Sequence, residues 1–339
     1  MTLPRTPRNR LLSVRRAVLP LASLCVLTTA CGAEVEGGST TEHTVTIANC
    51  GEEVEYPMPQ RPVAYDMSAT EKMFALGLAD QMAGYVMPST ADEPVSRSPY
   101  KESYDAVEVL GTDVISREIV VDAKADWVLA GWNSGFSEER GITPELLEEV
   151  GIQSYMFTES CFDYGDTPVT IPPLEALYTD LRDIGAIFHV EDRADELVAD
   201  LQERIAVLEE THPKGDPANV FLYDSGTDQP FTSGGQAAPN EIIEAAGGEN
   251  IFADLDQRWT TVGWESVIRA EPEVIAVVDY GDQPVEEKIA FLKSFPGLKS
   301  VPAVEEERFH IIDYGEAVSG PRNVDAAEKL AEYLRSIGR

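Results

Sequence analysis

The chain has 339 residues, of which 60 are acidic and 26 are basic, so its formal net charge at pH 7 is −34. Such an excess of negative charge excludes nucleic acid as a natural partner, because the phosphate backbone would be repelled. The overall charge favours solubility but does not fix the charge of a local binding site. The length allows two lobes of ordinary domain size.

Residues 1–30 are typical of an export signal. Several arginines precede an apolar segment at 17–27, which is too short for a transmembrane helix, since that needs about 20 apolar residues. Arg15 and Arg16 also suit the twin-arginine export route, so this route and the general one both stay open. Removal of the signal takes away five arginines and no acids, which leaves a formal net charge of −39.

The apolar segment ends at small residues followed by Cys31, a pattern that resembles bacterial lipoprotein signals, in which the cysteine is lipidated and becomes the new N-terminus. Leu27 lies one residue further from the cysteine than is usual, so an ordinary secretory signal with a coincidental cysteine is the alternative. Residues 31–43 are rich in Gly, Ser, Thr and Glu, which predicts a flexible tether. We therefore expect an exported protein that a lipid on Cys31 anchors to the outer face of the cell membrane.

The remaining cysteines form one pair. Cys25 would leave with the signal and Cys31 would carry lipid, so Cys50 and Cys161 remain. In an exported protein such a pair predicts a disulfide, here between the first strand and the segment around Cys161. A reactive thiol is the alternative, although neither cysteine has a histidine or basic neighbour that would activate it.

Strands and helices alternate along the first half of the mature chain. In the segment 62–86 a strand precedes a helix, which Ser68 or Thr70 could cap and which Gly77 would end. This alternation predicts a parallel, doubly wound sheet. The other predicted elements of this half are strands at 43–51, 125–131 and 152–157 and a helix at 143–151.

Residues 172–213 are predicted to be helical almost throughout, because they carry two apolar stripes at helical spacing. Strands and helices then alternate again up to residue 338. The predicted fold is α/β, with two doubly wound βα lobes joined by one long rigid helix. The predicted divisions are a signal peptide at 1–30, a lipidated tether at 31–43, an N-terminal lobe at 44–190, a linking helix at 191–213 and a C-terminal lobe at 214–339.

A faint internal repeat relates the two lobes. The segment 117–131 aligns with 264–278, and in both a glutamate, Glu118 or Glu265, precedes an acid that leads into an apolar strand. Each copy is predicted to be a short helix followed by a strand. Chance similarity between two βα units is the alternative.

Four segments together resemble the substrate-binding lipoproteins of ABC importers for iron–siderophores, haem and cobalamin. They lie at 69–85, 118–131, 230–268 and 319–334, and the resemblance extends over about 60–338. It implies two rigid lobes with a ligand cleft between them, a monomer, and delivery of cargo to an ABC permease dimer that has its own ATPase. Iron would then be carried as a chelate, so no resident cofactor is expected.

The carboxyl ends of the predicted strands carry aromatic residues, and ligands bind doubly wound sheets at those ends. Trp132, Tyr280 and Tyr314 follow strands, and such side chains suit a large flat or amphipathic ligand. Each could instead be ordinary packing, and Arg322 could either bind an anionic group or hold Asp313. From strand ends and aligned family motifs, the candidate ligand-binding residues are Trp132, Tyr223, Phe231, Arg258, Trp259, Tyr280, Tyr314 and Arg322.

Other classes of protein lack support in the sequence. The four histidines, His43, His189, His212 and His310, match no ligand cluster, so a zinc or manganese site is not expected. The nucleophile-elbow, dinucleotide-binding and Walker A motifs are absent from the sequence, so we predict a binding protein and not an enzyme.

The cargo that we predict is a ferric siderophore, because siderophores are frequent in the family and several tyrosines are expected in the cleft. Cobalamin is the first alternative, since the segment 230–268 is close to the cobalamin-binding member of the family. Haem is the second, because Tyr223, Tyr280 or Tyr314 could serve as an axial ligand to iron.

Glu118 and Glu265 are predicted to dock the permease. In the family one glutamate on each lobe meets arginines of the permease, and the motif match places these two residues there. The alternative is that they are simply two acids of a strongly acidic surface.

Overall fold

The computed structural model describes residues 44–165 and 168–339; the predicted signal, tether, Cys31 and His43 lie outside them. The described strands are β1 (Thr44–Asn49), β2 (Glu52–Pro57), β3 (Pro62–Tyr65), β4 (Gly84–Val86), β5 (Val109–Gly111), β6 (Trp127–Trp132), β7 (Gly135–Phe136), β8 (Gln153–Met156), β9 (Ala218–Tyr223), β10 (Phe231–Ser233), β11 (Gly248–Asn250), β12 (Trp259–Thr261), β13 (Val274–Asp279) and β14 (Phe309–Asp313). The described α-helices are α1 (Asp66–Ala75), α2 (Asp92–Arg97), α3 (Lys101–Ala106), α4 (Arg117–Asp122), α5 (Pro144–Glu148), α6 (Pro173–Ile187), α7 (Glu191–Glu210), α8 (Ala238–Ala245), α9 (Trp264–Ala270), α10 (Val285–Ser294), α11 (Pro302–Glu305), α12 (Tyr314–Ala317) and α13 (Asn323–Ser336).

The N-terminal lobe is built on a parallel sheet with the strand order β5-β4-β3-β6, in which both β7 and β8 pair with β6. Successive residues of β6 point to opposite faces, as the pleat requires. Trp127 and Leu129 pack into one apolar cluster, whereas Val128 and Ala130 pack into another on the opposite side. Because both faces are covered, the sheet is doubly wound.

The C-terminal lobe repeats this plan with the parallel order β11-β9-β13-β14. Val220 and Leu222 of β9 face one apolar cluster, and Phe221 and Tyr223 face the other. A short antiparallel pair, β10 with β12, lies outside this sheet. The predicted fold class of two doubly wound βα lobes is thereby confirmed.

The connection between the lobes is α7, a helix of 20 residues. The prediction of nearly continuous helix over 172–213 holds except at 188–190, where His189 has a positive φ of 56° and separates α6 from α7. Arg193 donates to the carbonyl of Ala75 at 3.0 and 2.9 Å, which fixes the start of α7 to the N-terminal lobe. Arg204 bonds to Asp325 and Glu328 of the C-terminal lobe. Within the described residues no helix has both the length and the apolar character needed to cross a membrane.

The predicted cap of α1 is wrong. The helix begins at Asp66, which adopts a left-handed φ of 67°, so Ser68 already lies in its first turn. The hydroxyl of Ser68 donates instead to the carbonyl of Ser319 in the other lobe, at 2.5 Å. The predicted end of the helix is confirmed: Gly77 has a φ of 72° and its N–H bonds to the carbonyl of Phe74.

The predicted disulfide between Cys50 and Cys161 is present, and it joins Cα atoms that lie 5.1 Å apart. Cys50 lies in the turn between β1 and β2, and Cys161 lies in the 3₁₀ helix Thr158–Asp163. Two hydrogen bonds between Asn49 and Met156, at 2.8 and 3.0 Å, support the same junction. The hairpin is thus fixed to the 3₁₀ helix that carries Cys161.

Candidate functional site

A cavity of about 360 Å³ opens between the two lobes. Both lobes line it, and it lies at the carboxyl ends of their parallel strands, the position at which doubly wound sheets bind ligands. The N-terminal lobe contributes the residues at the ends of β3, β6 and β8, and the C-terminal lobe contributes those at the ends of β9, β13 and β14. These strand-end residues are Asp66, Trp132, Phe157, Asp224, Tyr280 and Tyr314.

The structure brings six of the eight candidate ligand-binding residues to this cavity. Trp132 comes from the N-terminal lobe, and the other five come from the C-terminal lobe. The residues that line the cavity are Trp132, Phe231, Arg258, Trp259, Tyr280 and Tyr314.

The aromatic side chains of the C-terminal lobe form two stacked pairs. Phe231 of β10 and Trp259 of β12 stack at 5.7 Å between ring centroids, and Tyr280 and Tyr314 stack at 3.9 Å. Each ring is only half-buried, so each pair leaves aromatic surface open to the cavity. Trp132, also half-buried, offers an indole from the other lobe. The cavity therefore has aromatic surface on both sides, which suits a ligand with a large organic shell.

A buried ion pair crosses the cleft at Arg258. Its guanidinium donates from Nε and Nη2 to Glu159 at 3.1 and 2.9 Å and from Nη1 to Asp163 at 2.9 Å. Burial alone would lower the pKa of Arg258, but the two acids outweigh it and raise the pKa. The positive charge of Arg258 is therefore matched by the protein itself and is not free for an anionic ligand.

Asp66 and Tyr314 form a second polar contact across the cleft. The hydroxyl of Tyr314 donates to Asp66 Oδ2 at 2.5 Å, and the N–H of Met67 donates to Oδ1 at 2.7 Å. Burial raises the pKa of Asp66, although both hydrogen bonds oppose the shift. The left-handed backbone at Asp66 is rare for residues other than glycine, but aspartate and asparagine tolerate it better than most. The sequence therefore allows a carboxylate where β3 meets α1.

Tyr223 does not line the cavity. Its side chain is fully buried within the C-terminal lobe, 5.9 Å from Trp264 between ring centroids, and its hydroxyl bonds to the carbonyl of Gly226. The alternation along β9 turns Tyr223 towards the helices α9 and α10. The cavity position at the end of this strand belongs to the next residue, Asp224.

Arg322 also lies outside the cavity lining. Its side chain is 4% exposed and lies 3.4 Å from each of Glu71, Asp313 and Glu316. Burial would lower the pKa of Arg322, but the three acids together raise it. The alternative in which Arg322 holds Asp313 matches this geometry. Because Glu71 belongs to the other lobe, Arg322 also makes a further contact between the lobes.

Several lining residues were not among the candidates. In the structure Asp66 follows β3 directly and Asp224 follows β9 directly, so the strand-end rule that selected the aromatic residues applies to them as well. Glu159 and Asp163 do not directly follow a strand, so the strand-end rule does not select them. Their place at the cleft depends on the 3₁₀ turn Thr158–Asp163, which periodicity does not predict.

Glu118 and Glu265 lie on the surface in equivalent places. Glu118 is in the first turn of α4, which precedes β6, and Glu265 is in the first turn of α9, which precedes β13. Both side chains are exposed. The prediction that each copy of the repeat is a short helix followed by a strand is confirmed, and it places one exposed glutamate on each lobe.

The histidines inside the described residues are dispersed. His189 lies between α6 and α7, His212 Nε2 is 2.8 Å from the carbonyl of Ala245, and His310 lies in β14. Burial, followed by the charge of Lys329, lowers the pKa of His310 to about 4. Over 44–165 and 168–339, no group of three or more His, Cys, Asp or Glu side chains is arranged to hold a metal ion.

Comparison with known proteins gives matches that span both lobes. Residues 63–314 match the family described as Periplasmic binding protein. A vitamin B12-binding protein of Photorhabdus laumondii is 27% identical over 286 residues, which cover 84% of this chain and 90% of that protein. A periplasmic binding protein of Veillonella parvula superposes with a TM-score of 0.72 at 28% identity, over 86% of this chain and 98% of that one. An ABC-type Fe³⁺-hydroxamate transport system protein of Saccharomonospora viridis superposes with a TM-score of 0.71 at 26% identity, with the same two coverages.

Proposed function

The chain belongs to the periplasmic binding protein family, and from this membership we propose that it captures a ferric siderophore and delivers it to an ABC permease. Members of this class are exported solute-binding proteins and not enzymes, and they pass their ligand to ABC permeases. The chain is accordingly an exported solute-binding protein. The identity of its cargo is the part that we propose.

The single observation that carries the proposal is the cavity between the lobes with aromatic surface on both sides. Trp132 reaches it from one lobe, and the stacked pair of Phe231 and Trp259 reaches it from the other. In a ferric siderophore the metal charge is enclosed in an organic shell, so much of the contact surface is apolar with a few polar groups. Aromatic rings beside carboxylates and hydroxyls match that mixture.

Two relatives support different cargoes. The protein of Photorhabdus laumondii is described as binding vitamin B12, whereas that of Saccharomonospora viridis is described as part of Fe³⁺-hydroxamate transport. We favour the ferric siderophore, because Tyr280 and Tyr314 bring phenol groups to the cavity beside Asp66. Cobalamin is the second candidate, supported by the curated relative, and haem is the third.

The test is a titration of the protein's tryptophan fluorescence with ferric hydroxamates, ferric catecholates, cobalamin and haem. We expect tight binding of a ferric siderophore, and we expect Trp132→Ala to weaken it about thirtyfold, which corresponds to about 2 kcal/mol. The matched control is Trp127→Phe in the same strand, because the Trp127 indole is buried away from the cavity and its N–H has no hydrogen-bond partner among the residues that the structure describes. Tight binding of cobalamin alone would assign the protein to the second candidate, and unchanged affinity in Trp132→Ala would remove that residue from the site.

We also propose that a lipid on Cys31 anchors the protein outside the cell membrane. The apolar segment that ends at Cys31 and the polar tether at 31–43 support this. We propose the following boundaries for this anchored protein: a signal peptide at 1–30, an N-terminal lobe at 44–190, a linking helix at 191–213 and a C-terminal lobe at 214–339.

The two exposed glutamates at equivalent helix starts support a docking role for Glu118 and Glu265. An exposed ion pair contributes only about 0–1 kcal/mol, but a close charge pair in an interface can contribute about 1.5 kcal/mol or more. The double variant Glu118→Ala/Glu265→Ala should therefore bind cargo normally and reduce cargo uptake by cells. The control is Glu203→Ala/Glu209→Ala, which removes two exposed acids of α7. Normal uptake in the first variant, or an equal loss in the control, would refute the docking role.

A further inference from the structure

The charges that line the cleft cavity do not balance. Four carboxylates line it, from Asp66, Glu159, Asp163 and Asp224, against one guanidinium, from Arg258. Arg258 is fully occupied by Glu159 and Asp163. The two acids that remain, Asp66 and Asp224, come from opposite lobes and both follow the carboxyl end of a strand.

Asp66 has hydrogen-bond donors but no cation. It is 7% exposed, and its oxygens accept from the Tyr314 hydroxyl and the Met67 N–H. Within the described part of the chain, no lysine, arginine or histidine forms an ion pair with it. A carboxylate that is buried without a cation keeps most of the free-energy cost of its desolvation.

Asp224 is in a similar position. It is 9% exposed, and its carboxylate accepts from the Ser225 hydroxyl at 2.7 Å. Lys288 is close, but its ammonium donates to the backbone carbonyls of Asp224, Val278 and Tyr280 at 2.6–2.8 Å. The donors of Lys288 are thus used by the backbone and not by the carboxylate. Burial raises the pKa of Asp224, and Ser225 and Lys288 offset this only in part.

The aromatic walls of the cavity also favour a positively charged ligand. A cation over the face of a tryptophan or tyrosine ring is attracted by the ring electrons, and the attraction grows when water is excluded. Trp132, Trp259 and Tyr280 each have aromatic surface at this cavity. Two buried carboxylates lie between such rings, Asp66 without a cation and Asp224 offset only in part by Lys288. A positively charged group of a ligand would stabilise this environment, and a negatively charged group would not.

We infer that the cargo is a cationic chelate, namely a ferric hydroxamate that carries a free ammonium group, with that group directed to Asp66 and Asp224. This inference rests on the proposed function. Three singly charged hydroxamate groups balance the charge of ferric ion, so an added ammonium leaves the complex cationic. Three doubly charged catecholate groups leave a strongly anionic complex, which the two aspartates would repel.

The first experiment varies only the charge of the ligand. The purified protein is titrated with one linear ferric trihydroxamate in three forms: with its free terminal ammonium, N-acetylated and therefore neutral, and N-succinylated and therefore anionic. We expect affinity to fall by roughly tenfold at each step, the size typical of a close charge pair in a binding site. Equal affinities, or an order that favours the anionic form, would overturn the inference while the proposed function stands. If no ferric chelate binds and cobalamin or haem does, the proposed function fails instead.

The second experiment varies the protein. Asp66→Asn and Asp224→Asn remove the charges, keep nearly the same volume, and allow the left-handed backbone at residue 66. Each should weaken binding of the ammonium form about tenfold more than it weakens binding of the N-acetylated form. Asp254→Asn, at an exposed position of the C-terminal lobe, is the matched control and should change the affinity for neither ligand form. Equal weakening of both ligand forms would mean that the aspartates only support the structure, which would overturn the inference. If a variant does not fold, the ligand series on the unaltered protein decides the question.

Discussion

Removal of the disulfide is the perturbation whose size the structure predicts most directly. Cys50 and Cys161 are 111 residues apart in the chain. In the chain-entropy description, a cross-link that closes a loop of this size stabilises the folded state by about 4.7 kcal/mol at about 25 °C, and measured values are typically about 2–4 kcal/mol. Since a whole domain is stable by only about 5–15 kcal/mol, we expect Cys50→Ala/Cys161→Ala to lose about a third of its stability.

The measurement is urea unfolding of the double variant, the oxidised protein and the reduced protein, followed by fluorescence. The reduced protein is the matched control, because it lacks the cross-link but keeps both sulfur atoms. Both should unfold at lower urea concentration than the oxidised protein. A difference below about 1 kcal/mol between oxidised and reduced protein would refute the reasoning, as would two reactive thiols in unreduced protein.

The variant Cys50→Ala/Cys161→Ala should also weaken ligand binding, but the loss of binding free energy should be smaller than the loss of folding stability. Cys161 lies between Glu159 and Asp163, which hold Arg258 across the cleft. Other bonds keep this segment in place, among them the one from Trp132 N–H to the Ser160 hydroxyl at 2.9 Å. We therefore expect a weakening of only a few-fold, roughly 1 kcal/mol, in the fluorescence titration.

Three further predictions concern single residues. Arg258→Met removes the ion-pair partner of Glu159, whose side chain is 3% exposed, so the free energy of unfolding should fall by about 3 kcal/mol in urea titrations; a fall below about 1 kcal/mol would contradict this. Burial raises the pKa of Glu71 to about 7, so the native state binds more protons than the unfolded state between about pH 4.5 and 7, and stability should fall as pH rises through that window. Glu71→Gln should remove about 3 kcal/mol of that fall, and parallel curves for the two proteins would exclude the mechanism. Cys31→Ala should release the protein into the medium, whereas membrane fractionation equal to that of the unaltered protein would place the anchor elsewhere.

The sequence predicted the architecture and the position of the cleft, because both follow from the alternation of strands and helices. It could not predict which side chain at a strand end faces the ligand. Tyr223 and Asp224 are neighbours, and a shift of one residue along a pleated strand moves a side chain to the other face. The contact between Arg258 and Glu159 joins residues that are 99 positions apart, so no local pattern contains it. The early start of α1 depends on the left-handed turn at Asp66, for which the sequence offers only a weak preference.

The linking helix has a consequence for the way cargo leaves the protein. With 20 residues, α7 is about 30 Å long, and Arg193 and Arg204 fix it to opposite lobes. A helix held in this way bends little, so it resists separation of the lobes. Opening the cleft then means breaking the bonds across it, such as those of Arg97 to Asp279 and Asp313 at 2.7 and 2.9 Å. We expect a loaded protein to release its cargo slowly when it is alone. Release should be rapid only at the transporter, where ATP hydrolysis supplies the work that separates the lobes.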